Sequence, residues 1–249
     1  YVDYLIPLDD YMERWDPAWE DFHEGFRIWE NTYEGKRYTM TMDGDVILLY
    51  YRSDVFGNPE EQAGFKAKYG YDLGPPATWK QYAEIGQFLT DKYAPKLYGA
   101  GQFRQPAYSQ LLFQERFRVE GGKFFDPETM RATINSEIGV KVMDGMRADN
   151  KFMPPGVESW GFVEALSSFL AGDIAMTISW PPFGRWAAGY GVEDAALSWV
   201  PKSTIADKVG YALPPGGTPQ LALGFSLSVS ASSKNKEAAY LFIQWLNSE

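Results

Sequence analysis

From Asp45 to Tyr51 the sequence is DVILLYY, a run of seven residues in which only the first is charged. Apolar and tyrosine residues follow one another without the alternation that marks a half-exposed strand. A short run of this kind is typical of a strand that is buried on both faces, as in sheets covered by helices on each side. It therefore predicts an α/β fold that is built on a mostly parallel sheet.

Helix signals occur on the C-terminal side of this run. Thr78 and Gln81 have the spacing of a capping box and predict a helix start. Ser136 and Ser159 each precede an apolar helical pattern, and we expect each to cap a helix. A last helix is predicted near the end of the sequence, with one apolar face that is formed by Ala238, Leu241, Phe242 and Trp245.

Two further strands are predicted, one in DIAMTISW from Asp173 to Trp180 and one in GFSLSVS from Gly224 to Ser230. The first breaks into PPFGRW, where two prolines cannot continue a strand ladder, so an aromatic loop is expected after it. The segment YGAGQF, from Tyr98 to Phe103, indicates a short strand that enters the loop RQPAYS. Residues of both loops would lie at carboxyl ends of strands, where α/β proteins bind ligands.

The composition excludes several classes of function. The net charge is −10, and lysine and arginine form no patch, so binding to nucleic acid is unfavourable. Without cysteine there is no disulfide or thiolate site, and His23 has no second histidine with which to bind a metal. No phosphate-binding glycine loop, G-x-S-x-G elbow or zinc motif is found. We expect no metal and no cofactor, and no membrane insertion of this segment because it contains no long apolar run.

Two aspartates mark a candidate site. Asp43 and Asp45 are two residues apart on a predicted strand, so both side chains would lie on one face, roughly 7 Å apart. Such a pair serves as acid and base in a hydrolase, or accepts hydrogen bonds from ligand hydroxyl groups. The sequence MDGD equally suits a simple turn.

Aromatic residues supply a second candidate set. They make up 16% of the chain, and several follow the predicted strands. Indole and phenol rings stack on the apolar faces of sugars, while nearby polar groups bind the hydroxyls. The alternative for any single ring is core packing. The candidates at strand ends are Tyr108, Trp180, Phe183 and Trp186.

Five segments, taken in order, resemble the family 1 extracellular solute-binding proteins, the family that includes maltose-binding protein. They are PLDDYM with YEGKRYTMTM, LLYYRSDVF, GPPATWKQYAEIGQFLT, EALSSFLAGDIAMTISWPP and SASSKNKEAAYLFIQWLNS. The resemblance implies a two-lobed periplasmic-binding-protein-like fold of type II. Members usually carry further portions before the first and after the last segment, so we expect the first lobe to be incomplete.

The resemblance also implies domain bounds and site residues. Residues 1–44 and 224–249 would belong to the first lobe and residues 45–223 to the second, with hinges at Gly44 and Gly224. Asp45 corresponds to an acidic sugar contact of the family, and Gln105 and Tyr108 fall in a loop of further contacts. Pro182 replaces a stacking tryptophan, and Trp180 and Phe183 on either side are expected to supply the missing ring.

The function implied is high-affinity capture of a small carbohydrate or polyol and its delivery to the permease subunits of an ATP-binding cassette (ABC) importer. Such a protein acts in the periplasm or on the extracellular face of the bacterial membrane, and is not an enzyme. Two alternatives stay open. One is a glycoside hydrolase that uses Asp43 with Asp45, or Asp45 with Glu164. The other is a static carbohydrate-adhesion module.

Overall fold

The computed structural model describes residues 1–190, 193–217 and 223–248. The chain divides into two compact units. The first unit is formed by Tyr1–Val46 with Leu221–Glu249, and the second by Ile47–Gln220. The first unit therefore draws on both ends of the sequence, and its bounds differ by two and three residues from the expected 1–44 and 224–249.

The described elements alternate between helices and strands along the chain. The strands are β1 Thr32–Tyr33, β2 Lys36–Arg37, β3 Thr39–Asp45, β4 Leu48–Arg52, β5 Met176–Ser179, β6 Val209–Ala212 and β7 Leu223–Ser228. The α-helices are α1 Asp9–Trp15, α2 Glu24–Trp29, α3 Ser53–Phe56, α4 Pro59–Tyr69, α5 Trp79–Tyr93, α6 Pro106–Val119, α7 Glu137–Asp149, α8 Phe162–Ala171, α9 Pro182–Ala187 and α10 Lys236–Leu246. None of the described helices is long and apolar enough to span a membrane.

The sheet of the second unit has the order β5-β4-β6. The run that contains DVILLYY forms the central strand β4, in which Leu49 and Tyr50 are completely buried. Both neighbours pair with it antiparallel, so the expectation of a mostly parallel sheet is wrong for the described strands. An apolar run indicates that both faces of a strand are buried. It does not indicate the direction of the neighbouring strands, because parallel and antiparallel neighbours allow the same burial. From Tyr98 to Phe103 only an isolated bridge forms, between Tyr98 and Ile174, instead of the expected strand.

The helix starts of the second unit follow their caps. The Thr78 hydroxyl accepts a hydrogen bond from the Gln81 N–H at 3.2 Å, and α5 begins directly after Thr78 as predicted. Ser136 begins α7 in the same way. Ser159 lies in a 3-10 turn instead, and α8 begins only at Phe162, after Gly161. The prediction for Ser159 is wrong because Glu164 caps this helix from within by accepting the Gly161 N–H at 2.8 Å.

The segment PPFGRW is a short helix and not the expected loop. Pro182 occupies the first turn of α9, where a backbone N–H has no acceptor within the helix. The N–H group that proline lacks therefore costs no hydrogen bond at this position. The two prolines end β5 as predicted, but the same residues start a helix. Phe183 and Trp186 consequently lie three positions apart on α9, on neighbouring positions of one helical face.

The first unit is built on the antiparallel pair of β3 and β7. Helix α10 packs its Tyr240 and Ile243 into a core with Leu8, Met12, Met40 and Val229. The predicted apolar face of α10 is the exposed one: Leu241, Phe242 and Trp245 are all accessible, as is Ala238. Apolar residues occur on several sides of this helix, so spacing alone selected the wrong face.

Candidate functional site

The two aspartates lie at the end of β3 in the first unit. Asp43 is exposed and Asp45 is half-buried. Burial raises the pKa of Asp45 to about 6, and the neighbouring negative charge of Asp43 acts in the same direction. Asp45 is therefore a carboxyl group that changes its charge within the physiological pH range, unlike an ordinary exposed aspartate.

The two hinge candidates are cross-strand partners, since Gly44 of β3 lies opposite Gly224 of β7. A Cβ atom on Gly224 would lie 2.2 Å from the carbonyl oxygen of Asp43, and one on Gly44 would lie 3.0 Å from the ring of Phe26. Glycine at these positions allows a close approach of backbone and ring that any larger residue would obstruct. The register of the two strands also shifts between Thr41 and Asp43.

A buried asparagine, which the sequence analysis did not identify, holds this strand pair. Asn31 follows α2 and is 1% exposed. Its Oδ1 accepts hydrogen bonds from the hydroxyls of Thr39 on β3 and Ser226 on β7, at 2.8 and 3.0 Å, and its Nδ2 donates to the Thr41 hydroxyl on β3 at 2.9 Å. Because one amide group binds both strands, it fixes the base of the segment that carries Asp43 and Asp45. An asparagine in a loop gives no sequence signal that distinguishes this role from an ordinary turn.

Trp180 lies at the end of β5 in the second unit and is half-buried. The Tyr50 hydroxyl donates a hydrogen bond to its carbonyl oxygen at 2.7 Å. The fully buried ring of Phe103 stacks on the indole with 5.2 Å between centroids and 11° between planes. Tyr108 meets the same indole edge-on at 6.2 Å. The tryptophan is thus held in one orientation by the core, while part of it stays accessible.

Gln105 and Tyr108 are placed by the start of α6. Gln105 is the residue before the helix, and its backbone carbonyl accepts the N–H of Tyr108 at 2.9 Å. The exposed side-chain amide of Gln105 donates to the carbonyl of Ser159 at 3.2 Å. The predicted residues Gln105, Tyr108 and Trp180 therefore belong to one connected group on the second unit, in which an amide lies on the same helical turn as the phenol ring.

Phe183 has a different role from the one expected. It is fully buried, and its ring packs against Tyr50 and Phe162 at 6.3 and 5.2 Å. Its position on the inner side of α9 removes it from the surface, so it supports the aromatic group without offering a free face. Trp186 on the same helix is half-buried and contacts Phe162 at 6.1 Å.

Several residues of the aromatic group were not identified from the sequence. Phe103 stacks on Trp180, and Phe162 contacts both Trp180 and Trp186. Trp199 extends the group and is 45% exposed. It follows neither a predicted strand nor a helix face, so its position gave no signal.

The remaining candidates have local structural roles. The Glu164 carboxylate is engaged with the Gly161 N–H, and His23 accepts the N–H of Gly25 through Nδ1 at 3.1 Å to cap α2. Within residues 1–190, 193–217 and 223–248, no group of three or more acidic or histidine side chains is arranged to hold a metal ion. A groove of about 750 Å³ between α6 and α7 is lined by Phe113, Val140 and Met143, among others, and by none of the predicted contact residues.

Curated proteins from two bacteria are similar to most of this chain. A probable ABC transporter-binding protein of Deinococcus radiodurans is 32% identical over 226 residues, which are 86% of this chain and 48% of that protein. A probable amino-acid ABC transporter periplasmic-binding protein of Sinorhizobium fredii is 30% identical over 211 residues, 82% of this chain and 42% of that protein. The chain spans about half the length of the curated relatives it matches.

Solved structures give the same result for the fold. An ABC transporter solute-binding protein of Agrobacterium radiobacter in complex with ribitol has a TM-score of 0.74 at 26% identity, covering 99% of this chain and 58% of that one. One from Agrobacterium vitis with bound D-mannitol has a TM-score of 0.73 at 25% identity, covering 99% and 55%. The predicted α/β fold of the type II periplasmic-binding-protein class is confirmed. Because the sequence profile of the bacterial extracellular solute-binding proteins matches residues 2–249, the chain belongs to that family.

Proposed function

We propose that this chain forms ligand-binding surfaces of a solute-binding protein that captures a small carbohydrate or polyol and delivers it to an ABC importer. The observation that carries the proposal is the orientation of Trp180. Its indole is stacked on buried Phe103, its backbone carbonyl accepts a hydrogen bond from Tyr50, and Tyr108, one helical turn from Gln105, meets it edge-on. A rigid, partly accessible indole with a neighbouring amide matches the needs of a polyhydroxylated ligand with apolar C–H faces.

The acidic end of β3 supplies the complementary chemistry. Ionised Asp43 and Asp45 accept hydrogen bonds and donate none, and ligand hydroxyl groups are donors. Asn31 and its three hydroxyl partners hold the strand pair, so these acceptors are presented on a fixed backbone. Gly44 and Gly224, paired with each other, are the positions where we place the hinge, because glycine has the widest range of backbone dihedral angles.

The relatives support the ligand class and the transport role. The solute-binding proteins from the two Agrobacterium species hold ribitol and D-mannitol, which are linear polyols. By this analogy the protein acts in the periplasm or on the extracellular face of the bacterial membrane, with permease subunits as its partners. The relative from Sinorhizobium fredii is named for amino acids, so that solute class belongs in any ligand screen.

Capture in this scheme involves no covalent change of the ligand, and we assign the protein no catalytic activity. One observation favours a glycoside hydrolase instead: the raised pKa of Asp45 beside Asp43 resembles the environment of a general acid. Burial next to a carboxylate raises the pKa of an aspartate in the same way in a protein that has no catalytic activity. Incubation with labelled oligosaccharides, followed by chromatography of the products, separates the two, because release of shorter sugars indicates the hydrolase.

The first test of the proposal is a thermal-shift screen with polyols, monosaccharides, disaccharides and amino acids. A ligand that binds only the native state raises the melting temperature by mass action. We expect a rise with at least one sugar or polyol. A rise with amino acids alone, or with none of the compounds in a sample that unfolds cooperatively, contradicts the proposal.

The second test is the Trp180→Ala substitution, examined by isothermal titration calorimetry with the best ligand of the screen. We expect the affinity to fall by about 1 to 3 kcal/mol, the contribution of a well-placed aromatic contact. Trp245→Ala, which removes an exposed indole from α10, is the matched control and should leave the affinity unchanged. Equal affinities in the two variants would remove Trp180 from the binding site.

A further inference from the structure

The groove between α6 and α7 shares no lining residue with the candidate sugar site. Its volume of about 750 Å³ lies within the range of small-molecule pockets. Phe113 of α6, Ile134 before α7, and Val140 and Met143 of α7 form apolar walls. Ile134, Val140 and Met143 are 42%, 56% and 56% exposed. Several large apolar side chains are thus exposed together in one concave place, which suits an apolar ligand.

The walls of the groove change from apolar to charged along α7. Val140, Met143, Asp144 and Arg147 all line the groove, and their spacing places them on one face of this helix. From Val140 to Arg147 the helix rises by roughly 10 Å. A ligand that fills the groove therefore meets an apolar surface at one end and polar groups at the other.

Arg104 lines the polar end of the groove and is held in place there. Its Nε donates to Oδ1 of Asn150 at 3.3 Å, and its Nη2 donates to the carbonyl oxygen of Met146 at 3.2 Å. The Nη1 atom is buried and has no acceptor among the described residues. The guanidinium group is thus fixed in position, and its hydrogen bonds are incomplete.

The buried charges at this end of the groove carry an excess of positive charge. Arg116 donates to Asp149 at 2.8 Å, and their side chains are 11% and 6% exposed. Arg104 also interacts with Asp149, so two guanidinium groups share one buried carboxylate. Burial nevertheless lowers the pKa of Arg104, because its charge is not fully compensated. Glu115 adds little negative charge at neutral pH, since burial raises its pKa to about 8.

The acidic side chains at the polar end are solvent-exposed. Asp144 and Glu158 both line the groove, and Glu158 accepts a hydrogen bond from the Asn150 amide at 3.1 Å. Water and salt screen exposed charges more strongly than buried ones. The buried guanidinium groups therefore determine which charge is favoured at this end, and they favour an anion.

We propose that the groove between α6 and α7 binds an aliphatic carboxylate, a molecule with an alkyl chain and one carboxyl group. The chain lies against Phe113, Ile134, Val140 and Met143, and the carboxylate lies at the end that holds Arg104. The inference goes beyond capture of a carbohydrate or polyol, because it assigns the second unit a separate site for a different class of ligand.

The experiment uses isothermal titration calorimetry of the wild-type protein with octanoate, 1-octanol and acetate. 1-Octanol has the same chain length without the charge, and acetate has the charge without the chain. We expect octanoate to bind roughly tenfold more tightly than 1-octanol, the contribution of one charge-assisted contact. Acetate should show no measurable binding, because it leaves the apolar walls uncovered.

Three variants test the two halves of the groove. Val140→Glu places a carboxylate in the apolar wall and should weaken octanoate binding by roughly tenfold or more. Val163→Glu changes an equally accessible valine of α8 outside the groove and should leave octanoate binding unchanged. Arg104→Met removes the charge and should lower the affinity for octanoate to that for 1-octanol. Retained binding of 1-octanol shows that the groove of this variant is intact.

The outcomes separate this site from the proposed function and from other occupants. No binding of octanoate to the folded wild type, equal binding of octanoate and 1-octanol, or equal effects of Val140→Glu and Val163→Glu would each overturn the proposal. A dimer in sedimentation equilibrium that Val140→Glu dissociates would overturn it too, because a second copy then covers the groove. Sugar or polyol affinity that is unchanged in Val140→Glu supports two separate sites.

Discussion

Asp45 combines the clearest electrostatic feature of the candidate site with a position that the sequence indicated. Its carboxyl group is half-buried at the end of β3, beside the charge of Asp43, and its pKa is raised to about 6. If ligand hydroxyls donate to this group, binding requires its ionised form. The affinity then depends on a proton that is taken up near pH 6.

We expect sugar or polyol affinity to be constant above pH 7 and to fall roughly tenfold by pH 5, because protonated Asp45 loses an acceptor. Calorimetric titrations from pH 5 to 8 measure this directly. Asp45→Asn should bind more weakly at pH 7.5 but show a flat profile.

Asp43→Asn is the control for the neighbouring charge. It should move the midpoint of the wild-type profile to lower pH, because the pKa of Asp45 falls when the repulsion is removed. A wild-type affinity that does not change over this pH range would exclude an ionised Asp45 from ligand contact.

Individual residues were predictable where their type and their place in a pattern agreed. Trp180 follows a run of strand-forming residues, so the sequence located it at a strand end. Phe183 has the same context but faces inward, since α9 begins where a loop was expected. Trp199 has no such context, and Asn31 acts through partners that are distant in the sequence. Side-chain direction and long-range hydrogen bonding are the information that spacing does not contain.

Helix α6 connects the candidate site to an unusual buried group. It begins beside Gln105 and carries Glu115 about two turns beyond Tyr108. Glu115 is 4% exposed, and neither carboxyl oxygen has a hydrogen-bond donor in the described part of the chain. Burial raises the pKa of Glu115 to about 8.

This carboxyl group predicts a pH-dependent stability. The pKa of Glu115 in the folded state lies above its unfolded value, so folding favours the protonated form. The folded state is therefore destabilised progressively as the pH rises from about 4.5 to about 8, by on the order of 5 kcal/mol in total. Urea unfolding between pH 5 and 8 measures the slope.

Glu115→Gln should flatten this dependence and make the protein more stable than the wild type at pH 8, since it removes the ionisable group at nearly constant volume. Glu128→Gln changes an exposed glutamate and serves as the control. If the slopes of the wild type and Glu115→Gln are the same, Glu115 is ionised without cost and has a partner that satisfies it in solution.

Some helices and strands were predicted correctly from the sequence, whereas for others only their existence was. Helix α5 followed from a local cap and a local apolar face, and strand β4 from the length and composition of its run. The direction of the neighbours of β4 did not follow, because pairing depends on chain segments more than a hundred residues apart. The face of α10 was mispredicted because its apolar residues nearly encircle the helix and only the surrounding core selects one side.

The whole chain is organised by the discontinuous first unit. The order of motifs suggested this division through the family resemblance, whereas periodicity alone gave only an alternation of helices and strands. The core of the first unit joins Leu8, Met12 and Met40 to Val229, Tyr240 and Ile243. Residues from the two ends of the sequence thus share one hydrophobic interior.

Ile243→Ala should therefore affect a segment that lies far away in sequence. Removing a buried isoleucine leaves a cavity and costs about 2 to 5 kcal/mol. We expect faster amide hydrogen exchange in α1, which contributes Met12 to this core, and unchanged exchange in α5 of the second unit.

Phe242→Ala is the matched control, because its side chain is exposed on the neighbouring position of α10. It should change the stability by less than about 0.5 kcal/mol. Faster exchange in α1 for Phe242→Ala but not for Ile243→Ala would mean that α10 packs through its other face.

The split core also sets the order of events during biosynthesis. Met40 and Val229 are separated by roughly 190 residues, which a bacterial ribosome takes on the order of 10 to 40 s to add. Until then the N-terminal segment has emerged without the partners that complete its interior, while the residues of the second unit become available as one uninterrupted stretch. The segment that carries Leu8, Met12 and Met40 therefore joins Val229, Tyr240 and Ile243 in this core only after the whole of the second unit has been synthesised.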